Sequence, residues 1–270
     1  MNEYVNGKQG VAPVVFYNAQ MTQAFRIGQI VPSSNTTMET EIPAMLRARE
    51  AVEPERFTFH SSRMRMKKVT KEELAAMDAD SGRCAAELVD ARVDVLGYAC
   101  LVAIMSMGKG YHRESEKRLH DITVKEGHAT PVVTSAGALI AGLKTLGAKR
   151  VSIVAPYLKP LTCMVVEYIE AEGIEIAENI SLEIADNVEV GRQDPMALVR
   201  IHRDLKMSGI DALVLSSCVQ MPSLAAVPVV ENECGLPVVS ASICTTHQML
   251  QHLGLRRYVP NAGSLLSGKF

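Results

Sequence analysis

Two apolar runs in this chain share one form. Each opens on an Asp and closes on a Cys: Asp94-Val-Leu-Gly-Tyr-Ala-Cys100 and Asp211-Ala-Leu-Val-Leu-Ser-Ser-Cys218. Apolar residues that run on without alternating with polar ones mark a strand covered on both faces, the strand of a parallel βαβ unit. The surroundings repeat as well. Arg26-Ile-Gly-Gln-Ile-Val-Pro32 resembles Arg150-Val-Ser-Ile-Val-Ala-Pro156, and Pro131-Val-Val-Thr-Ser-Ala resembles Pro237-Val-Val-Ser-Ala-Ser. These features recur in the same order at similar intervals, so the chain is expected to fold as two equivalent halves.

Each half reads as alternating strands and helices. In the first, strands are expected at 27–31, 56–60, 93–98 and 131–134, and helices at 37–50, 71–91 and 114–125. In the second, strands are expected at 151–155, 175–179, 212–215 and 238–240, and helices at 160–172, 195–208, 222–234 and 242–253. The helix after Pro131 should stop at Gly147 and the last one at Gly254, while Asp194 before Pro195 reads as a helix cap. The fold class is therefore α/β, with two pseudo-symmetric domains, each a four-stranded parallel sheet flanked by helices. In open α/β sheets the ligand crevice lies beyond the carboxyl ends of the strands. Cys100, Cys218, Asn35 and Tyr157 all follow apolar strands, so they collect where two facing halves would form a cleft.

Composition narrows the function. At 270 residues the chain has room for two domains of about 100–150 residues each. A net charge of −2 supplies no basic field for nucleic acid or an anionic membrane, and with no Trp and few aromatics a base-stacking platform is not expected. Six cysteines without a Cys-x-x-Cys, and seven scattered histidines, give no metal-ligand spacing. Reduced thiols in a cytoplasm fit best, and no apolar run approaches a membrane span of about 20 residues. Residues 1–23 read as an extension expected to be poorly ordered, with Met21 as a plausible start.

The matched cysteines are the chemistry candidates. An unperturbed thiol, with a pKa of about 8.5, is only slightly ionised at neutral pH. Placement at a helix N-terminus would lower that value, and Pro222 suggests such a helix just after Cys218. A lone Cys is more often a small buried hydrophobe, but a pair at equivalent places in two repeats is poorly explained that way. Cys84, Cys163 and Cys234 are assigned to structure, and Cys244 stays an outside candidate. Pro32-Ser33-Ser34-Asn35-Thr36-Thr37 reads equally well as a carboxylate-binding loop or a plain helix cap. Tyr157 holds the matching place in the second half, and Asn187 lies in a loop. The basic stretch Ser61–Lys68 is read as a solvated surface loop, with a lid or steering segment as the alternative.

With these residues in view, Ile30-Val-Pro-Ser-Ser-Asn-Thr-Thr-Met-Glu-Thr-Glu and the strands ending in Cys100 and Cys218 resemble maleate cis–trans isomerases, of the aspartate/glutamate racemase superfamily. The resemblance runs from about residue 24 to the end. It implies two α/β domains, 24–134 completed by 241–270, and 135–240, with the active site between them. It implies that Cys100 attacks a vinylic carbon of maleate and Cys218 assists as acid or base. Asn35, Tyr157 and Asn187 would grip the carboxylates, and Leu101, Val102, Val219 and Gln220, which follow the cysteines, complete the substrate-binding set. No cofactor and no metal are expected, and a homodimer is implied. Two alternatives stand beside it. An amino-acid racemase would also use two cysteines, but needs a group to hold an ammonium. A non-catalytic dicarboxylate binder would not require thiols. An arylmalonate decarboxylase, which keeps only the second cysteine, fits less well.

Overall fold

The strand that anchors the first half is β1 (Ala24–Pro32), flanked by β2 (Arg56–Met64) on one side and β3 (Val95–Tyr98) then β4 (Val132–Thr134) on the other, all parallel. In this computed structural model, residues 24–270 are described. The extension expected over 1–23 lies outside the described residues. The second half repeats the pattern with β5 (Arg150–Ala155), β6 (Glu175–Ser181), β7 (Ala212–Ser216) and β8 (Val238–Ser240), again parallel and in the order β6-β5-β7-β8. One strand order used twice is the structural form of the sequence repeat.

The helices are α1 (Met38–Glu50), α2 (Lys71–Asp90), α3 (Leu101–Ser106), α4 (Tyr111–Lys125) and α5 (Ser135–Thr145), then α6 (Lys159–Ala171), α7 (Asn187–Gly191), α8 (Leu198–Ile201), α9 (Val227–Cys234) and α10 (Ala241–His252). They cover the sheets, and every residue of β3 and β7 is buried, as non-alternating strands require. The last helix, α10, packs on α5, on α1 and on β3 and β4. Gly147 and Gly254 end their helices at φ 70° and 69°, a left-handed conformation that glycine adopts without steric cost.

The Asp that opens each central strand has the same task in both halves. Asp94 Oδ2 accepts the Arg26 N–H at 2.6 Å, tying the start of β3 to the start of β1. Asp211 Oδ2 accepts the Lys149 and Arg150 N–H groups at 2.8 and 2.9 Å, tying β7 to β5. The main chain follows suit, with Asp94 N–H on Arg26 O and Asp211 N–H on Arg150 O.

Two expected helices differ. The helix expected from Pro222 begins only at Val227. Pro228 explains the late start: well inside a longer helix it would lack the N–H its turn needs, whereas in the first turn it is tolerated. The helix expected over 195–208 breaks into a 3-10 turn at Pro195–Ala197, α8, and a second 3-10 turn at His202–Asp204. Asp194 does cap its start, on Met196 N–H at 2.9 Å, but the Lys206 N–H turns away to the Glu178 carboxylate. Among the described residues no helix is long and apolar enough to cross a membrane.

The backbone N–H groups at its oxygens hold the Asp211 carboxyl below the usual carboxylate range. A depressed folded pKa contributes stability above the unfolded value and loses it as pH falls. Asp211 is exposed and screened by solvent, so Asp211→Ala should cost no more than about 1 kcal/mol in urea unfolding at neutral pH, and the gap from the wild type should close in acid, from the ordinary Asp pKa of about 3.9 down through the depressed folded value.

Candidate active site

The carboxyl ends of β1, β3, β5 and β7 open into one small pocket. Cys100, Cys218, Asn35, Tyr157, Asn187, Val102, Val219 and Gln220 all line it. Leu101 does not: its side chain is fully buried in the core, and only its main chain, at the first position of α3, is near. Three residues outside the expected binding set also line the pocket. Pro32 ends β1, and Met66 and Val69 come from the stretch between β2 and α2. For Met66 the signal was the alternation of Met64 and Met66 with charged residues in the stretch that also reads as a lid. Both methionines are buried, so this stretch is partly a wall of the site and not simply a solvated loop.

Cys100 caps the six-residue α3 with φ 91° and ψ 74°. A non-glycine residue in that region is strained by about 1–3 kcal/mol, and such strain gathers at functional positions. The Ala103 N–H faces its sulfur and favours the thiolate, but burial outweighs it. Burial, with the neighbouring Cys218 adding to it, pushes the Cys100 thiol up to about 12. Cys218 follows β7 in a turn, not a helix. The Tyr157 hydroxyl, which donates to Ser217 O at 3.4 Å, and the N–H groups of Gln220 and Met221 favour its thiolate, yet burial still raises its pKa. The lowered thiol pKa expected from helix N-termini is thus overturned. Free N–H donors are present, but desolvation wins. Tyr157 is held well above the ordinary phenol range by burial and by the two cysteines, so it remains a donor.

Asn35 uses its Oδ1 to cap α1, accepting the Thr37 and Met38 N–H groups at 3.0 Å each, which leaves its amide nitrogen for the pocket. The capping and ligand-binding readings of this loop are therefore compatible. Arg63 holds the loop from outside, donating to Ser33 O at 3.1 Å and Asn35 O at 2.6 Å while pairing with Glu39. Asn187 is the first residue of α7, not a loop residue, and its Nδ2 donates to Ser34 Oγ at 2.8 Å. Gln220 spends its whole side chain on the protein. Its Oε1 accepts from Thr36 and Thr37 N–H at 2.8 and 3.3 Å, and its Nε2 donates to Ser34 O and Asn187 O at 3.2 and 2.7 Å. What it can offer a ligand is its main chain.

Cys244 is excluded by its packing. Its sulfur lies where a Cβ on Gly142 would sit, at the α5–α10 crossing, and burial raises its pKa with no donor to oppose it. Among the described residues, no acidic or cationic side chain lines the pocket, and no group of three or more His, Cys, Asp or Glu is placed to hold a metal ion.

The family described as arylmalonate decarboxylase matches residues 27–266. A maleate isomerase of Geobacillus stearothermophilus is 62% identical over 93% of this chain and 100% of its own. The chain belongs to the maleate isomerase family. A crystal structure of a maleate isomerase from Pseudomonas putida with maleate, a Cys-to-Ala variant, is 61% identical, covers 92% of this chain and 99% of its own, and superposes with a TM-score of 0.91. A Nocardia farcinica maleate cis–trans isomerase, a Cys-to-Ser mutant with a covalently bound succinylcysteine intermediate, is 45% identical, covers 92% of this chain and 100% of its own, and has a TM-score of 0.88. Membership of the maleate isomerase family and the α/β fold of two parallel sheets agree with what the cysteine strands and the Pro-Ser-Ser-Asn-Thr opening led us to expect.

A thiol raised this far is mostly protonated at neutral pH. Alkylation of Cys100 by iodoacetamide, followed by peptide mass spectrometry apart from the exposed Cys163, should climb roughly tenfold per pH unit from about pH 7 to about pH 9 without levelling. A plateau near the ordinary thiol pKa of about 8.5 would show an unshifted group.

Proposed function

We propose that this chain converts maleate to fumarate, with Cys100 as nucleophile and Cys218 as its acid–base partner. The observation that carries this is the convergence of two cysteines, from matching strand ends of two repeats, on one small pocket with Tyr157 and Asn35 beside them.

Maleate is held cis by its C=C bond. When the Cys100 sulfur bonds to one vinylic carbon, the π pair moves to the other carbon and onto its carboxylate as an enediolate-like species. The former double bond is now single and rotates. The pair then returns, C=C re-forms in the trans geometry and the thiolate leaves. Cys100 releases its proton to solvent as it ionises and regains one after the thiolate is expelled, so the cycle consumes no net proton, electron or co-reactant. Neutral donors suit the middle of this path. Each preorganised donor aimed at the developing negative charge is worth about 3–4 kcal/mol. The backbone N–H groups after each cysteine, the Tyr157 hydroxyl and the amides of Asn35 and Asn187 are such donors.

The walls suit the rotation. Met66, Val69, Val102 and Val219 are apolar, so a swinging carboxylate meets no competing donor there. They also keep water from an adduct that would otherwise be trapped or end as malate. A racemase is disfavoured by a specific absence: among the described residues no carboxylate lines the pocket to hold an ammonium.

The same proposal carries the domain division 24–134 with 241–270, and 135–240, supported by the packing of α10 on α1 and β3. It also carries a homodimer, which the family resemblance implies, working in a reducing cytoplasm, which free cysteines fit.

Proton NMR of maleate with the purified protein and no additive should show fumarate growing in. Cys100→Ser should lower the rate by at least on the order of 10³-fold. Cys218→Ser should abolish turnover or leave a covalent adduct of one maleic acid on Cys100, seen by intact-protein mass spectrometry. Full activity in either variant removes the two-thiol mechanism.

A further inference from the structure

The turn that carries Cys218 runs from Ser217 to Ala226, between β7 and α9, with no helix or strand. Its own half holds the first residues, with Ser216 Oγ accepting the Cys218 N–H at 3.3 Å and the Ser217 N–H on Val154 O at 3.0 Å, and the placement of the rest across the cleft draws on contacts from the first half. One buried carboxylate supplies them at its far end. Glu41, on α1, is 8% exposed. Its Oε1 accepts the Ser223 N–H at 2.5 Å and the Leu224 N–H at 2.6 Å, and its Oε2 accepts the Ser242 hydroxyl at 2.6 Å and the Ser223 hydroxyl at 3.4 Å. At the near end, Gln220 is bound to the loop around Asn35, and Thr37 Oγ1 donates to Gln220 O at 2.7 Å. Gly191 makes that second clamp possible, because a Cβ there would run into Gln220 Nε2.

A buried carboxylate is expensive unless its oxygens are satisfied, and all four contacts here are donors. Hydrogen bonds to an ionised acceptor are shorter and about twice as strong as neutral ones. Glu41 also stands on the helix that Asn35 caps. One rigid element therefore positions a pocket amide at its N-terminus and, one turn later, grips the turn that bears Cys218. Glu41 lines no part of the pocket that holds the cysteines, so any effect it has on chemistry must pass through that turn. Misplacing a reacting group by about 1 Å can cost about 10²-fold in rate.

We propose that Glu41 is a positioning residue for Cys218, holding the second thiol across the cleft from Cys100 through the Ser223 and Leu224 N–H groups. This rests on the two-thiol mechanism. Without Glu41 at its full length, Cys218 is displaced, and the carbanion formed after Cys100 adds is protonated by solvent. The thioether then remains: the S–C bond persists, the neighbouring carbon gains a proton, and the protein keeps one maleic acid.

Two variants separate length from charge. Glu41→Asp keeps the charge and withdraws the oxygens by one methylene. Glu41→Gln keeps the length, with its amide oxygen on the two N–H groups and its NH₂ facing hydroxyls that can turn to accept. We expect Glu41→Asp to lower kcat by on the order of 10²-fold with KM for maleate little changed, and to accumulate the Cys100 adduct during turnover. Glu41→Gln should keep kcat within about fivefold and accumulate none. Wild-type kcat in Glu41→Asp overturns the proposal. So does a loss of kcat without adduct while Cys218→Ser does accumulate it, or a Gln variant as impaired as the Asp one. If one variant does not melt cooperatively, the other decides by the same two readouts. If Cys218→Ser itself is fully active, the two-thiol mechanism falls and takes this proposal with it.

Discussion

Two thiols are held at one small gap in surroundings where neither is at ease as an anion. Burial raises both, and a charge on Cys218 would raise Cys100 further. That constraint shapes everything around them. A cation at the pocket wall would pull a thiolate or a dicarboxylate into a deep resting well. Neutral donors do less for the resting state and more for charge that appears during reaction. The pocket accordingly presents amides, a phenol held in its protonated form and main-chain N–H groups, and the cost of making a thiolate is deferred until a substrate is present.

The scaffold meets the constraint by using one device twice. An Asp locks the start of each central strand to its neighbour, and a Cys sits where the strand runs out. Locking the start matters because parallel strands in fixed register deliver their far ends to a fixed edge. Beyond the strand ends the two halves diverge. Cys100 sits at a strained backbone position that opens a helix, while Cys218 sits in an irregular turn clamped from across the cleft. A nucleophile benefits from being set on a rigid support, and an acid–base group must be aimed at it. The two arrangements fit the two roles proposed for these cysteines.

Much of this was legible in the sequence because parallel strands are written in period and punctuation. Non-alternating apolar runs, their repeated order and the Gly stops located all eight strands to within a few residues. The pocket-lining residues were legible where they lay directly after such strands. What escaped was tertiary. Nothing local says that Gln220 bonds Thr36 and Asn187, or that Glu41 grips Ser223, because those partners are far apart in the chain and meet only when the halves close. The absence of a helix after Cys218 was readable from Pro228, since proline so far inside a helix is costly. The direction of the thiol pKa shifts was not readable. It depends on how much solvent the closed pocket excludes, and Met66 and Val69, which help close it, come from a stretch that looks like surface.

The seam between the halves is polar where it touches the site and apolar inside it, and the catalytic cycle needs both. Glu41, Gln220, Asn187 and the Ser34–Thr37 loop bind one half to the other with directional bonds, which hold a distance better than apolar contact does. Those bonds are also satisfied within the protein, so few of them compete for the substrate. Inside, Val102, Val219, Met66 and Val69 offer a rotating carboxylate no hydrogen bond to stop at. A site that gripped both carboxylates equally well throughout would hold the adduct in its starting geometry. One end must stay fixed while the other is released, and a rigid polar frame around an apolar sweep provides that difference.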